Sequence, residues 1–416
     1  MLPVDIPPPR LLQWREFGWE AGWMDWTDLF YFILAAVVFF GAAGCAGDWN
    51  GEVTSLRQTK VLQGIAALGV AFHHMGQKTC APWHERWTIV HGLDFFVPIG
   101  FLFVGIFLFC SGLGLYKSLK TKPDYMKGFC RRRILPIVIA FYLSEIIYTI
   151  VRLVMGEKMT AKDILWYLSG LHMANFNAWY VIVIPFLYLV FWLAFRFCRR
   201  EGTAILWVTL FCLAYTVLGA YLGHPEGWWM RGEWWYNSII LFPLGLLFGK
   251  YEQPVLNFFK KGWWLWLAVS FAAMIGLFRL SVLAKDYWWG YYGNLYDRMR
   301  VWHSLGTAAM EWLACIGTVW FCFVLMMKVR LGNRVLAFFG RVTLAFYLMH
   351  GLFVELFGFN FTDVTKSAYY IKDVPLYILA VLACSIPAAL LFRWVWMALV
   401  RLTGAGGKPV PANPEQ

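Results

Sequence analysis

Eleven stretches of this chain are apolar over lengths close to those needed to cross hydrocarbon, and this recurrence is what most limits its fold. Crossing a bilayer core takes about 17 to 25 mostly apolar residues in a helix. Windows of that kind fall at 28–46, 60–77, 93–116, 134–155, 178–197, 204–223, 236–251, 263–283, 308–328, 336–358 and 375–400. The second and the 236–251 windows are the shortest, so their boundaries are the least defined. Hydrophobic residues make up 60% of the 416 and charged residues only 14%, whereas a soluble domain needs about a quarter of its residues charged. The expected fold is therefore all-α, a polytopic membrane helix bundle of about 11 transmembrane helices with most of its surface in the lipid bilayer. Residues 1–26 lack the basic flank, apolar run and small-residue cleavage site of a signal peptide, and carry four tryptophans. They are expected to stay on the chain and lie at the interface.

Lysine and arginine in short loops set orientation, because positive loops stay inside. The segments 117–133, 196–202, 250–261, 328–334 and the tail from Arg401 are basic, and they alternate with mixed, aromatic-rich loops at 223–237, 285–303 and 357–375. With eleven spans, every basic loop falls on one side. The C-terminus is then cytoplasmic and the N-terminus outside, in a multi-pass protein of the cell membrane. The net charge of +12 follows from this rule and gives no reason to expect nucleic acid as a partner. Nine cysteines, mostly within spans, show neither a CxxC pair nor metal-ligand spacing. No metal is expected, and no disulfide framework can be argued.

The stretch "GIAALGVAFHHMGQ" puts His73 and His74 at the end of an apolar helix. An ionisable group within a span is costly enough to suggest function, although a neutral histidine near a helix end can also simply reach interfacial water. Gln63 and His74 are separated by close to three helical turns, and Lys60 lies within about 40° of the same face. His73 is rotated from His74 by 100°. Asp94, Glu145 and Glu311 are further charges in or near spans. Asp94 starts the helix after the histidines, where it could orient one of them or cap that helix. Glu233, Asp297 and His303 lie in the aromatic-rich loops, as candidate contacts to a bound acceptor molecule, should the chain prove to transfer a group, or as ordinary solvated groups. Those loops hold more Trp and Tyr than an interface belt requires, and aromatic faces stack on sugar rings.

The stretch "QGIAALGVAFHHMGQ" resembles the first core helix of the acyltransferase 3 family of integral membrane acyltransferases, with His74 in the position of the family's catalytic histidine. Gln63 stands where the family usually has Arg or Lys, and Lys60, one turn earlier, is a candidate replacement. "FVGIFLFCSGLGLYKS" with Ser111, "YMKGFCRRRILPI", "FNAWYVIVIPFLYLVF", "WWYNSIILFPLGLLFGKYE" and "FGRVTLAFYLMHGLF" with His350 resemble later family segments in family order. In the basic motif Arg133 matches the family's second arginine, Cys130 occupies the first position, and Arg131 and Arg132 are candidate substitutes. The resemblance implies a ten-helix core at 55–403, preceded by one extra helix in 1–50 and followed by a cytoplasmic tail, 404–416.

It also implies a membrane O-acyltransferase, most simply an O-acetyltransferase. Acetyl-CoA or another acyl-CoA would serve as donor substrate rather than bound cofactor, and the acceptor would be a carbohydrate or lipid-linked hydroxyl of the cell envelope. His74, His73 and Asp94 are the implied catalytic group. Arg131, Arg132, Arg133, Lys60, Gln63, Ser111 and His350 are the implied substrate-binding group. Such chemistry needs a base for the hydroxyl proton, which suits histidine, and cations for the donor's phosphates, which suits arginine. A proton-coupled secondary transporter using intramembrane His and Glu is the rival reading, although inverted repeats and paired broken helices are not evident. A non-catalytic membrane scaffold is a third, and it would not need the polar stripe.

Overall fold

A computed structural model of the chain describes residues 26–45, 47–85, 88–170, 172–223, 230, 232–290, 298–360 and 369–404. Most of the expected interfacial segment, Asp297 and all but the first residue of the tail lie outside the described residues. Helix α1 (Trp26–Phe39) leads to a short strand β1 (Ala43–Gly44), α2 (Leu56–Thr79) runs back, and a 3-10 turn over Asp94–Ile99 enters α3 (Gly100–Thr121). A π-helical turn over Cys130–Ile134 opens α4 (Leu135–Val154), followed by the short α5 (Ala161–Ser169), α6 (Trp179–Phe197) and α7 (Glu201–Leu222). Next come α8 (Leu241–Lys250), α9 (Glu252–Lys260) and α10 (Trp263–Leu283), which ends in a second π-helical turn, Ala284–Trp288. Helix α11 (Arg300–Met326), strand β2 (Val329–Arg330), α12 (Arg334–Phe357) and α13 (Val374–Leu402) complete the chain.

The protein is an all-α polytopic bundle, and each of the eleven apolar windows coincides with a helix. Among the described residues, eight helices are long and apolar enough to cross a membrane. Helix α2 has 24 residues but is less apolar, while α1 has 14 and α8 only 10. At 1.5 Å per residue α8 reaches about 15 Å. The 236–251 window therefore holds a helix only from Leu241, and the rest of that pass is made by turns through residues 233–240, anchored where Trp312 Nε1 donates to the Tyr236 carbonyl at 3.0 Å.

The basic segments converge on one end of the bundle. Lys120 pairs with Glu201, and Lys117 with Glu252 at 3.0 Å, joining the loops after α3, α6 and α8. Lys260 and Lys328 both lie over the Trp49 ring, and Arg131 donates to the Thr403 carbonyl at 2.7 Å. Strand β1 pairs antiparallel with β2, which ties the end of α1 to the same face. At the opposite end Arg300 donates to the carbonyls of Gly223 and Tyr221, and Tyr31 to that of Gly92. Loops that alternate in sequence thus sort to two ends in space.

Glycines set the closest helix contacts, as expected where apolar lipid gives helices no hydrophobic reason to associate. A Cβ on Gly64 would lie 2.0 Å from the Leu336 carbonyl oxygen, and one on Gly340 would lie 1.9 Å from that of Lys60. The backbones of α2 and α12 therefore touch. Gly112 and Gly245 do the same for α3 and α8. In α3, 72% of the apolar window is buried within the bundle, against 17% in α10. The centre is accordingly built on α2, α3 and α12, and α10 faces outward.

Candidate active site

The close approach of α2 and α12 brings together two histidines that are 276 residues apart in sequence. His74 Nδ1 lies 2.8 Å from His350 Nε2, and the rings are parallel, with centroids 5.0 Å apart. His350 Nδ1 is 2.9 Å from the Phe346 carbonyl oxygen. A carbonyl oxygen only accepts, so the proton of neutral His350 sits on Nδ1 and its Nε2 carries a lone pair. His74 must then donate from Nδ1, which leaves its own Nε2 unprotonated. One backbone carbonyl thereby fixes the tautomers of two rings. His73 is held separately, with Nδ1 donating to the Phe96 carbonyl at 3.0 Å and its ring lying against Gly100. His73 and His74 are half-buried, and His350 is fully buried.

Asp94 does not reach either histidine of α2. It accepts from His91 Nδ1 at 2.7 Å and from the Gly92 amide at 2.8 Å, so it organises the loop before α3. The Phe96 carbonyl occupies the orienting place expected for it. Glu145 also has a structural partner: it accepts from the amides of Ala174 at 2.5 Å and Asn175 at 3.3 Å. Asn175 in turn donates to Ser144 Oγ and to the Leu348 carbonyl, each at 3.1 Å. Non-helical backbone at bundle depth needs such internal partners, and this one is fastened two residues from His350. Glu233, expected either as a solvated group or as an acceptor contact, is buried, which excludes the first.

A cavity of about 770 Å³ opens among α2, α3, α4, α6, α12 and α13. Lys60, Gln63, Ser111 and Arg133 all line it, so most of the expected substrate-binding group shares one space. Ser111 Oγ is 2.8 Å from Tyr188 OH, and the Arg133 guanidinium lies 5.6 Å from the centre of the Tyr125 ring. Arg131 and Arg132 do not line the cavity. Arg131 bonds the Thr403 carbonyl, and Arg132 bonds the carbonyls of Asp124, Tyr125 and Lys127. Lys117, Lys122, Arg341 and Arg393 join Lys60 and Arg133 in the lining, which holds no Asp or Glu. Lys117 is already paired with Glu252, and the other five cations form a site for a polyanion. His350 lies beyond the lining: Tyr180 and Tyr347 wall the cavity with ring centroids 5.7 Å apart, and Tyr347 is 6.0 Å from His350.

Sequence reasoning missed Arg341 and Arg393 as cavity residues. Arg341 reads as one more positive-inside charge, but Arg393 sits inside the 375–400 window, where a charge in a span was the signal to follow. The nine cysteines are all free thiols, and the described residues contain no group of three His, Cys, Asp or Glu able to hold a metal.

A family model described as "Acyltransferase domain", that of the acyltransferase 3 family, matches residues 57–394. The chain belongs to the acyltransferase 3 family. The match covers nearly all of α2 to most of α13, and so includes all three histidines of the site and the cavity lining apart from Thr54, Ser55, Leu56 and Trp396. The acyltransferase thus combines a polytopic bundle with an enzymatic domain that occupies nearly all of it. Comparison with curated proteins and with solved structures returns no match.

Proposed function

We propose that the enzyme transfers an acyl group, most simply acetyl, from acyl-CoA on the cytoplasmic side to a hydroxyl of a glycan or other envelope acceptor, with His74 as general base. The observation that carries this reading is the tautomer chain from the Phe346 carbonyl through His350 to His74, which leaves His74 Nε2 free to take a proton. The acceptor O–H gives its proton to Nε2 as its oxygen attacks the thioester carbonyl. The tetrahedral intermediate collapses by breaking the C–S bond, and the departing thiolate takes the proton back from His74. Between these steps His74 is an imidazolium, which its Nδ1–H bond to His350 stabilises.

Donor binding is supported by the basic cavity, in which Lys60, Lys122, Arg133, Arg341 and Arg393 suit the phosphates of CoA, since guanidinium forks pair with phosphate oxygens. None of the three histidines lines the cavity; its Tyr180–Tyr347 end is the end beside His350, so transfer requires the acyl-bearing arm to reach past these rings. Lys60, fourteen residues before His74, lies about 21 Å from it along the helix, a separation suited to an extended ligand with its charge at one end and its reactive bond at the other. Arg133→Ala is expected to weaken CoA binding by about tenfold or more, the worth of a charged hydrogen bond, whereas Arg131→Ala changes it little. A calorimetric titration of each purified variant with CoA checks this, and equal small effects would leave the basic run as a topology signal only.

The convergence of basic loops supports a cytoplasmic C-terminus and an N-terminus on the opposite side. A cysteine introduced at Asp5 in a cysteine-free background should react with impermeant maleimide from outside intact cells. Labelling only after the inner face is opened would invert the orientation.

A further inference from the structure

A second buried polar cluster stands beside the histidines, and none of its members lines the basic cavity. Glu233 begins the turns before α8, Asn237 follows in them, Glu311 projects from α11, and Lys285 lies in the π-helical turn that ends α10. Glu233, Asn237 and Glu311 are 4%, 3% and 1% exposed. Glu233, Asn237 and Glu311 lie close enough to act on one another, and the Lys285 ammonium acts electrostatically on both carboxyls and on His73. One turn after Glu311, the Cys315 thiol lies 3.7 Å from the Phe101 carbonyl oxygen, next to the glycine that the His73 ring covers.

Three atoms of this cluster have no hydrogen-bond partner: Glu233 Oε2, Glu311 Oε2 and Asn237 Oδ1. All three are buried oxygens of carboxyl or amide groups, so the set chiefly accepts. Leaving such atoms unpaired is costly, and each orphan needs a physical reason. Lys285 already supplies positive charge, so the set lacks uncharged donors rather than a cation. Two backbone irregularities meet here, the π-helical turn and the 233–240 turns. Both types recur where membrane or helical proteins bind ligands. The Trp235 ring lies 6.0 Å from that of Trp179, an aromatic wall of the kind that packs on sugar faces.

We propose that Glu233, Asn237 and Glu311 form an acceptor subsite for a polyhydroxylated molecule, a sugar or other polyol, whose O–H groups satisfy the three oxygens while a further O–H is presented to His74. Naming this ligand as the acceptor rests on the acyltransferase reading given above. The subsite is closed in this structure, so occupancy requires the 233–240 turns that carry Trp235 to yield.

The test is a tryptophan-emission titration of purified protein, in a zwitterionic detergent free of sugar, with glucose, N-acetylglucosamine, inositol and glycerol, and with 1-propanol and sodium chloride as controls. A saturable response to at least one polyol and to neither control is expected, lost in Trp235→Phe. Glu311→Gln and Asn237→Ala should each weaken it about tenfold or more, with CoA binding, read by calorimetry, unchanged. The new amide of Glu311→Gln can donate to Glu233, so its Tm should hold or rise. Failure of all four polyols, an equal response to either control, or wild-type polyol affinity in both variants would overturn the subsite. A lower Tm in Glu311→Gln with unchanged affinity would likewise make the cluster structural. Should that variant not fold, Asn237→Ala reads the same affinity. Loss of CoA binding in the wild type would count against the donor reading instead, since the polyol titration does not involve CoA.

Discussion

His74→Ala is expected to lower acyl transfer by roughly 10²- to 10⁴-fold, the usual contribution of a positioned general base, while leaving expression and thermal stability near those of the wild type. His74 is half-buried, and its side chain makes one ring-to-ring hydrogen bond. Losing such a bond costs about 0.5–1.5 kcal/mol, too little to unfold a bundle of this size. His73→Ala should be milder in turnover. That ring is rotated by 100° around α2, donates to the Phe96 carbonyl and packs on Gly100, so its removal loosens the α2–α3 contact without deleting the proton acceptor. Turnover of labelled acetyl-CoA in detergent, with melting temperature measured on the same samples, separates the two effects. A dead His73→Ala beside a nearly normal His74→Ala would move the base to the other face of α2. Normal turnover in both would make the histidines structural.

The fold was legible wherever one property decided it. Long apolar windows mark helices because backbone groups in lipid must bond internally, and all eleven windows found a helix. The 236–251 window shows the limit of that reasoning: hydropathy cannot tell a helix from turns that are buried by neighbours, and Trp312 on α11 supplies the anchor from 76 residues away. The polar stripe Lys60, Gln63, His74 was legible because helical geometry alone puts those residues on one face. Which partner that face meets was not, since it depends on Gly64 and Gly340 letting two backbones touch. For Asp94 and Glu233 the sequence left two alternatives each, and the structure ties Asp94 to the loop before α3 and buries Glu233. A carboxyl near a span end can cap a loop or enter the core, and only the packing of distant helices decides between them.

His350 gives the second large effect and tests the tautomer argument directly. His350→Ala removes the acceptor for His74 Nδ1–H, so His74 loses both its orientation and the partner that stabilises its charged form. A hydrogen bond to a charged group is worth about 1.5–3 kcal/mol, which corresponds to roughly a 10- to 100-fold loss in kcat. The KM for acyl-CoA should change little, because the cavity cations are untouched and His350 does not line the cavity. His350 is fully buried, so Ala also leaves a void, and some loss of Tm is expected from packing alone. His350→Gln separates the two causes. Its side chain fills much of the same space and offers an amide oxygen to accept from His74, and it should recover a substantial part of the lost kcat. Steady-state kinetics across acyl-CoA concentrations reads the split. If both variants kept kcat within about twofold of wild type, or if the loss fell wholly on KM, His350 would be a packing residue and the lone pair on His74 would need another origin. If Gln restored Tm but no turnover, the ring itself would be required, and His350 would have to move a proton rather than only hold one in place.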